Sequence, residues 1–399
     1  MPSSDRTLEE FRAEVRSWAE EHAPPADWMA SLKNEEAVIE LERSWLRALH
    51  EGGYAGAHWS KEWGGGFSLP EQVVLFEEFT RVNAPYVRNW FVALNHTYAT
   101  LTAAGTEEQK QRHLPAILRA DEIWCQGFSE PGAGSDLASL RTTAVRDGDS
   151  YVVNGQKIWS SGALHADWCL LLARTDPTAP KRQGISYFLM DMKSPGVEPR
   201  VIRQMDGGAH FCEIFLTDVR IPAENLVGAE NEGWRLAQVT LSSERGPTTL
   251  ELAERLRTAL GWLIDLAKET HLEGRPAVED MAVREQLTAL HIEVGILGAL
   301  CHKVVDDLIA KGGTGPEASI VKVYYSELLH RLMDFAVQLQ GLAAQEFAVP
   351  PLGTAWESGV WMIDFLNSYA WIIGGGTNHI QRSVIGERVL GLPREPAAN

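Results

Sequence analysis

The period of the apolar residues changes twice along this chain, and those two changes constrain the fold more than any other feature. Leu8, Phe11, Val15 and Trp18 recur at helical spacing near the N-terminus. Residues 73–79, 90–101 and 107–118 continue that pattern after a glycine-rich break over 52–66. From Ile123 to about Val227 the apolar residues fall instead into short or alternating runs, at 150–154, 168–173, 185–190 and 213–216. Gly148, Asn154-Gly155 and Asp206-Gly207-Gly208 punctuate them, as expected of short strands closed by tight turns. After Gly233 the helical period returns, with one stripe through Leu250, Ala253, Leu256, Leu260, Leu263 and Leu266. Further stripes pass through Leu287, Leu290, Ile292 and Val294 and through residues 320–339. The order predicts an α+β chain: an N-terminal helical domain over 1–121, a middle antiparallel β-domain over 122–233 and a C-terminal helix bundle over 234–399.

The chain has 399 residues, of which 45% are hydrophobic, enough to bury a large core in two or three domains. Its net charge of −18 argues against nucleic acid and against an anionic membrane surface as partners. Cys125, Cys169, Cys212 and Cys301 are far apart and lack metal-ligand spacing, so they read as buried thiols in a reducing compartment, and no metal is expected. The N-terminus is acidic and lacks an apolar signal core, and no unbroken apolar run approaches the roughly 20 residues that span a bilayer. The expectation is a cytoplasmic protein with no membrane segment.

The most informative segment is Gln126-Gly-Phe-Ser-Glu-Pro-Gly-Ala-Gly-Ser-Asp136. It follows an apolar strand and turns through Pro131-Gly132-Ala133-Gly134, where glycines let the backbone approach a ligand and offer N–H groups to phosphate or carbonyl oxygens. Asn154-Gly-Gln-Lys-Ile-Trp159 comes next, and Gln381-Arg382 with Glu387-Arg388-Val-Leu-Gly391 closes the chain. Together, in this order, the three segments resemble the acyl-CoA dehydrogenase family from about Gly52 to Pro393.

That resemblance implies FAD as cofactor, an acyl-CoA substrate and an electron-transferring flavoprotein as electron acceptor. It places Phe128, Ser129, Gly134 and Ser135 along the flavin and pyrophosphate, and Trp159 and Ser161 against the isoalloxazine ring. Gln338 and Gly341 match a segment that reaches FAD across a subunit interface, and Thr377, beside the C-terminal glycines, is also expected to contact the cofactor. A homotetramer or a heterotetramer with a homologous chain follows. Ser135 and Gly374 are expected near the thioester, and Arg88, Asn89 and Val92 at the acyl tail.

The reaction removes an α-proton and a β-hydride, so a positioned carboxylate is required. Many family members carry it just before a Gly-Thr pair, but here that position is Gly375 in Gly374-Gly375-Gly376-Thr377. A minority supply it from a Glu-Arg pair on an earlier helix, and Ser243-Glu244-Arg245-Gly246-Pro247 stands there. Glu244 is therefore the expected base, Arg245 a substrate contact, and the Gly375 N–H a donor to the thioester carbonyl. Pro247 predicts a kink or break. Glycines at 374–376 leave room for a branched, cyclic or polar acyl group. A flavin monooxygenase or N-hydroxylase, or a non-catalytic partner subunit, are the competing readings. Asp136, Glu130, His165, His379 and the run 230–232 read as structural.

Overall fold

The computed structural model describes residues 6–25, 28, 32, 34–243, 248–311, 315–346 and 360–394. In chain order the helices are α1 (Leu8–His22), α2 (Glu35–Glu51), α3 (Leu69–Arg81), α4 (Tyr98–Ala104) and α5 (Glu107–Leu118). Strands β1 (Trp124–Gly127), β2 (Thr143–Asp147), β3 (Ser150–Ser161), β4 (Trp168–Arg174), β5 (Ile185–Asp191), β6 (Val197–Ile202) and β7 (Phe211–Pro222) follow. Then come α6 (Gly233–Ser242), α7 (Thr248–Glu269), the hairpin β8–β9 (His271–Leu272, Arg275–Pro276), α8 (Met281–Lys311), α9 (Ala318–Gln340), α10 (Trp361–Ile373) and α11 (Asn378–Val384). Reciprocal caps start three of the early helices. Thr7 with Glu10, Ser68 with Glu71 and Thr106 with Gln109 each satisfy two backbone N–H groups that the helix leaves open.

The chain divides into two compact units that interleave along the sequence. One comprises residues 1–3, 33–67 and 85–244, and the other 4–32, 68–84 and 245–399. In the first, β1 to β7 form a single sheet in the order β1-β4-β2-β3-β7-β6, with β5 paired to β4. The alternation at 150–154 and 213–216 correctly marks strands with one face in the core. The sheet is mixed rather than purely antiparallel: β1 runs parallel to β4 from Trp124↔Trp168 to Gly127↔Leu171, and β2 meets β4 in parallel at Thr143↔Arg174. Such pairings need long crossovers, which side-chain period cannot reveal.

In the second unit α7, α8 and α9 pack through Leu256, Leu263, Leu297, Leu328 and Leu332. The buried carboxylate of Glu78 on α3 accepts hydrogen bonds from Arg12, Arg16 and Arg81 and ties α3 to α1. Residues 90–101 are helical, as the pattern predicts, but not regularly α: a 3-10 turn at Arg88–Trp90 and a π-helical turn at Val92–Thr97 precede α4. One expectation needs correction: α8 contains a stretch, Met281–Leu308, long and apolar enough to cross a membrane by length and composition. It escapes a search for unbroken apolar runs because isolated polar residues interrupt it. One side of it, Leu287, Leu290, Val294 and Leu297, is buried in the bundle.

Candidate active site

The glycine loop leaves β1 at Gly127 and folds back on itself. Glu130 N–H donates to Ala133 O (3.1 Å) and Ala133 N–H donates to Glu130 O (2.9 Å), closing a tight turn over Pro131-Gly132. Below this turn the buried Glu130 carboxylate accepts Arg141 N–H (2.6 Å), Thr142 N–H (2.8 Å) and Lys157 Nζ (2.9 Å). Lys157 Nζ also donates to Phe128 O (3.2 Å). Burial works against ionisation of Glu130, but Lys157 and the backbone donors outweigh it and hold the carboxyl below its usual range. Burial likewise pushes the Lys157 ammonium down, and Glu130 opposes it. Glu130 thus holds the loop, as its sequence context suggests. Lys157 was not singled out, although a lysine at an inward position of the alternation Tyr151, Val153, Lys157 is the signal that could have found it.

Strand β3 supplies the facing wall. Ile158 N–H donates to Ser129 O (2.9 Å), so Phe128 and Ser129 lie beside Ile158 and Trp159. Between Lys157↔Ile214 and Ser160↔Cys212 the register slips by one residue, a β-bulge on β3. The bulge places Trp159 at φ 62, a left-handed backbone that a bulky residue rarely adopts. Its indole stands 56% exposed and meets Phe211 edge-on. A large aromatic held out of the core on a strained backbone is the feature expected of a ligand platform. Phe128 is buried with its ring edge-on to Tyr187. Gly134 and Ser135 are exposed on the loop, and Cβ atoms at Gly132 or Gly134 would meet nothing within 4 Å. Ser161 is half-buried next to Gly162.

The residues assigned to the acyl tail belong to the same unit. Arg88 lies between Glu35 (3.0 Å) and Glu42 (3.7 Å), Asn89 and Val92 are buried, and Asn89 binds Glu42. Burial raises the Glu42 carboxyl to about 7 against the pull of Arg88 and of the Asn89 donors. Sequence reading gave Glu42 no role. It lies 47 positions from Asn89 on a helix, where nothing local marks it.

The assigned residues of the C-terminal glycine loop and of α9 are in the second unit. Gly374 ends α10 by donating its N–H to Ala370 O (2.7 Å). Gly375 and Gly376 take φ 62 and 82, and Gly375 O accepts Gln381 Nε2 (2.8 Å). A left-handed residue at 375 favours glycine over a carboxylate side chain. Thr377 caps α11 through Ile380 N–H. Gln338 is exposed and donates to Asp334 (2.7 Å), and Gly341 ends α9 at φ 58. Glu244, Arg245 and Pro247 lie outside the described residues. Asp136 is a loop residue, bonded to Ser139 and Lys181. Glu230 in the acidic run accepts the Tyr151 hydroxyl (2.6 Å). No group of three His, Cys, Asp or Glu suited to a metal occurs among the described residues. The four cysteines form no disulfide and are buried, and burial raises the thiol of Cys125.

A helical segment, a sheet with a clamped glycine loop and an outward tryptophan, and a helical bundle define an acyl-CoA dehydrogenase architecture. The comparisons agree. The acyl-CoA dehydrogenase N-terminal domain matches residues 5–121, the middle domain 125–219 and the C-terminal domain 231–390. This chain belongs to the acyl-CoA dehydrogenase family and is an oxidoreductase of that kind. It is 38% identical over 396 residues to acyl-CoA dehydrogenase IpdE1 of Mycobacterium tuberculosis, covering 97% of this chain and 98% of that protein. Among solved structures it resembles the Tcur3481-Tcur3483 steroid ACAD, with TM-score 0.83, 32% identity and coverage of 97% and 98%. It also resembles a chain of the ChsE4-ChsE5 complex of Mycobacterium tuberculosis, with TM-score 0.80, 32% identity and coverage of 99% and 100%. Members of the family are generally FAD-dependent.

Proposed function

We propose that this chain catalyses FAD-dependent α,β-dehydrogenation of a ring-bearing or branched acyl-CoA in the cytoplasm and passes the electrons to an electron-transferring flavoprotein. The observation that carries the reading is Trp159, strained and exposed on its bulge beside the clamped Ser129 loop. The residues present fit FAD. Ser129, Gly134 and Ser135 would face its pyrophosphate and ring edge, Phe128, Trp159 and Ser161 its isoalloxazine, and Gln338 and Gly341 of a neighbouring subunit, with Thr377, its remaining contacts. When bound, FAD supplies the acceptor for the β-hydride.

The protein supplies the proton chemistry. Glu244 takes the α-proton, the Gly375 N–H donates to the thioester carbonyl, and Arg245, Ser135 and Gly374 orient the substrate. Three consecutive glycines leave the loop without side chains, which supports a wide acyl group, as does the likeness to a protein titled a steroid ACAD. The two-chain titles of both structural relatives favour assembly with a homologous partner, a heterotetramer, over a homotetramer. The apolar outward face of α8 supports either assembly.

The test is a flavin spectrum of the purified protein, followed by anaerobic titration with CoA thioesters. Ring-bearing thioesters should bleach the flavin, and Glu244→Gln should bind it yet slow the bleaching by about 10² to 10⁴. A protein that ignores FAD with and without a partner chain refutes the cofactor. Bleaching at the parent rate in Glu244→Gln refutes the base.

A further inference from the structure

Asn89 is 4% exposed, and its orientation is fixed from one side only. Its backbone N–H (2.9 Å) and its Nδ2 (3.0 Å) both donate to Glu42 Oε2. An amide whose nitrogen faces a carboxylate must turn its oxygen away. Asn89 Oδ1 is buried and has no hydrogen-bond partner. It lies against Gly162, where an added Cβ would stand 3.5 Å from it, in ordinary van der Waals contact. The other atom within 4 Å of that point, chain neighbours apart, is His210 Cε1 at 3.9 Å. Gly162 directly follows Ser161, the residue assigned to the flavin ring. Gly162 is therefore flanked by an unpartnered amide oxygen and an imidazole.

From this geometry we infer that Asn89 is a specificity residue whose Oδ1 accepts a hydrogen bond from a hydroxyl group on the acyl portion of the substrate. The inference rests on the proposed dehydrogenase function and names the substrate class more closely. A neutral donor fits better than a charged one. The Arg88 guanidinium is already engaged by Glu35 and Glu42. Burial, with Arg88 and His165 nearby, drives His210 down to about 3, so its ring stays neutral. No free counter-charge among these groups would hold a carboxylate, and a purely apolar tail would leave the buried oxygen unsatisfied.

The test compares cyclohexane-1-carbonyl-CoA with its 3-hydroxy and 4-hydroxy derivatives on the flavin-loaded enzyme. At one ring position the hydroxyl compound should be preferred in kcat/KM by about tenfold, the size of one neutral hydrogen bond to a buried acceptor. In Asn89→Ala the ratio should fall towards one. Equal kcat/KM for all three thioesters in the parent enzyme overturns the inference while leaving the dehydrogenase reading intact. A hydroxyl preference that survives Asn89→Ala assigns it to another residue and also overturns it. If no thioester bleaches the flavin, the dehydrogenase reading itself fails. The parent enzyme alone decides the first comparison, so a poorly folding variant does not block it.

Discussion

Replacing Lys157 by Met tests the clamp under the glycine loop. The ammonium is fully buried and donates to Glu130 (2.9 Å) and to Phe128 O (3.2 Å). Methionine fills a similar volume but leaves the Glu130 carboxylate, itself only 8% exposed, with backbone donors and no counter-charge. Breaking a buried pair from one side costs about 3–5 kcal/mol. That would lower the thermal midpoint of the sheet-bearing unit by roughly 10 °C. Neutralising both partners, as Lys157→Met with Glu130→Gln, removes the orphan charge, because Gln can still accept one backbone N–H. The double variant should therefore recover most of the loss. The loop that carries Ser129 to Ser135 would also sample more states in the single variant, so FAD affinity should drop with stability, by tenfold or more for each 1.4 kcal/mol spent on re-ordering it. The assays are thermal unfolding of the four members of the mutant cycle and flavin release followed by fluorescence. A single variant less than about 1 kcal/mol weaker than the parent, or a double variant no better than the single, would refute the reasoning.

Glu42 makes stability depend on pH in an unusual direction. Its carboxyl is raised from 4.5 to about 7 in the folded chain, so between those values the native state holds a proton that the unfolded state has lost. The stabilisation is complete below about 4.5 and disappears as pH rises through about 7. Relative to Glu42→Gln, the parent should lose a few kcal/mol between pH 5 and 8, at about 1.4 kcal/mol per unit. A difference between the two midpoints that stays constant over that range would show that Glu42 does not hold the proton. On α8, Ile292 and Ile296 are 57% and 44% exposed, with Ala289, Gly295 and Ala299 exposed around them. The double change Ile292→Asp with Ile296→Asp should shift sedimentation towards smaller species, and an unchanged assembly would assign the contact to another face.

Sequence period carried much of this architecture, because a stripe at 3.6 or 2.0 residues is a local record of which face is buried. The capping pairs Thr7–Glu10 and Thr106–Gln109 sharpen the helix starts for the same reason. What stayed hidden is non-local. The parallel partners of β4 depend on crossovers, and the bulge at Trp159 depends on the register of β7. A π-helical turn at Val92–Thr97 differs from an α-helix by one residue in its hydrogen bonding and leaves no mark in apolar spacing. The glycine loop was legible because Gly and Pro act within a few residues, whereas the Lys157, Glu42 and Asn89 contacts join positions dozens of residues apart.

Two sets of buried polar groups in the sheet-bearing unit separate structural polarity from polarity held for a ligand. Thr100, Thr240 and Tyr187 join hydroxyls at 2.7 and 3.0 Å across α4, α6 and β5, and burial raises the Tyr187 phenol well above its usual range. Each has a partner, so the trio can fix where α6 lies, just ahead of Ser243 and Glu244 in the chain. Asn89 Oδ1, Trp90 Nε1 and Thr97 Oγ1, by contrast, lack partners within a single short segment. The π-helical part of that segment packs on β1, where Gln126 Nε2 is also unpartnered, and Ser160 Oγ repeats the pattern on β3. One such atom costs about 1–3 kcal/mol, too much for a fold to carry several times over without return. Gln126 and Ser160 lie on the strands that present the glycine loop and Trp159, and the π-turn packs on the first of them. A π-turn is itself a frequent mark of functional sites, since it spends regular hydrogen bonding to redirect side chains. Polar groups satisfied among themselves hold this unit together, and those left open are completed only by a bound ligand or an ordered water.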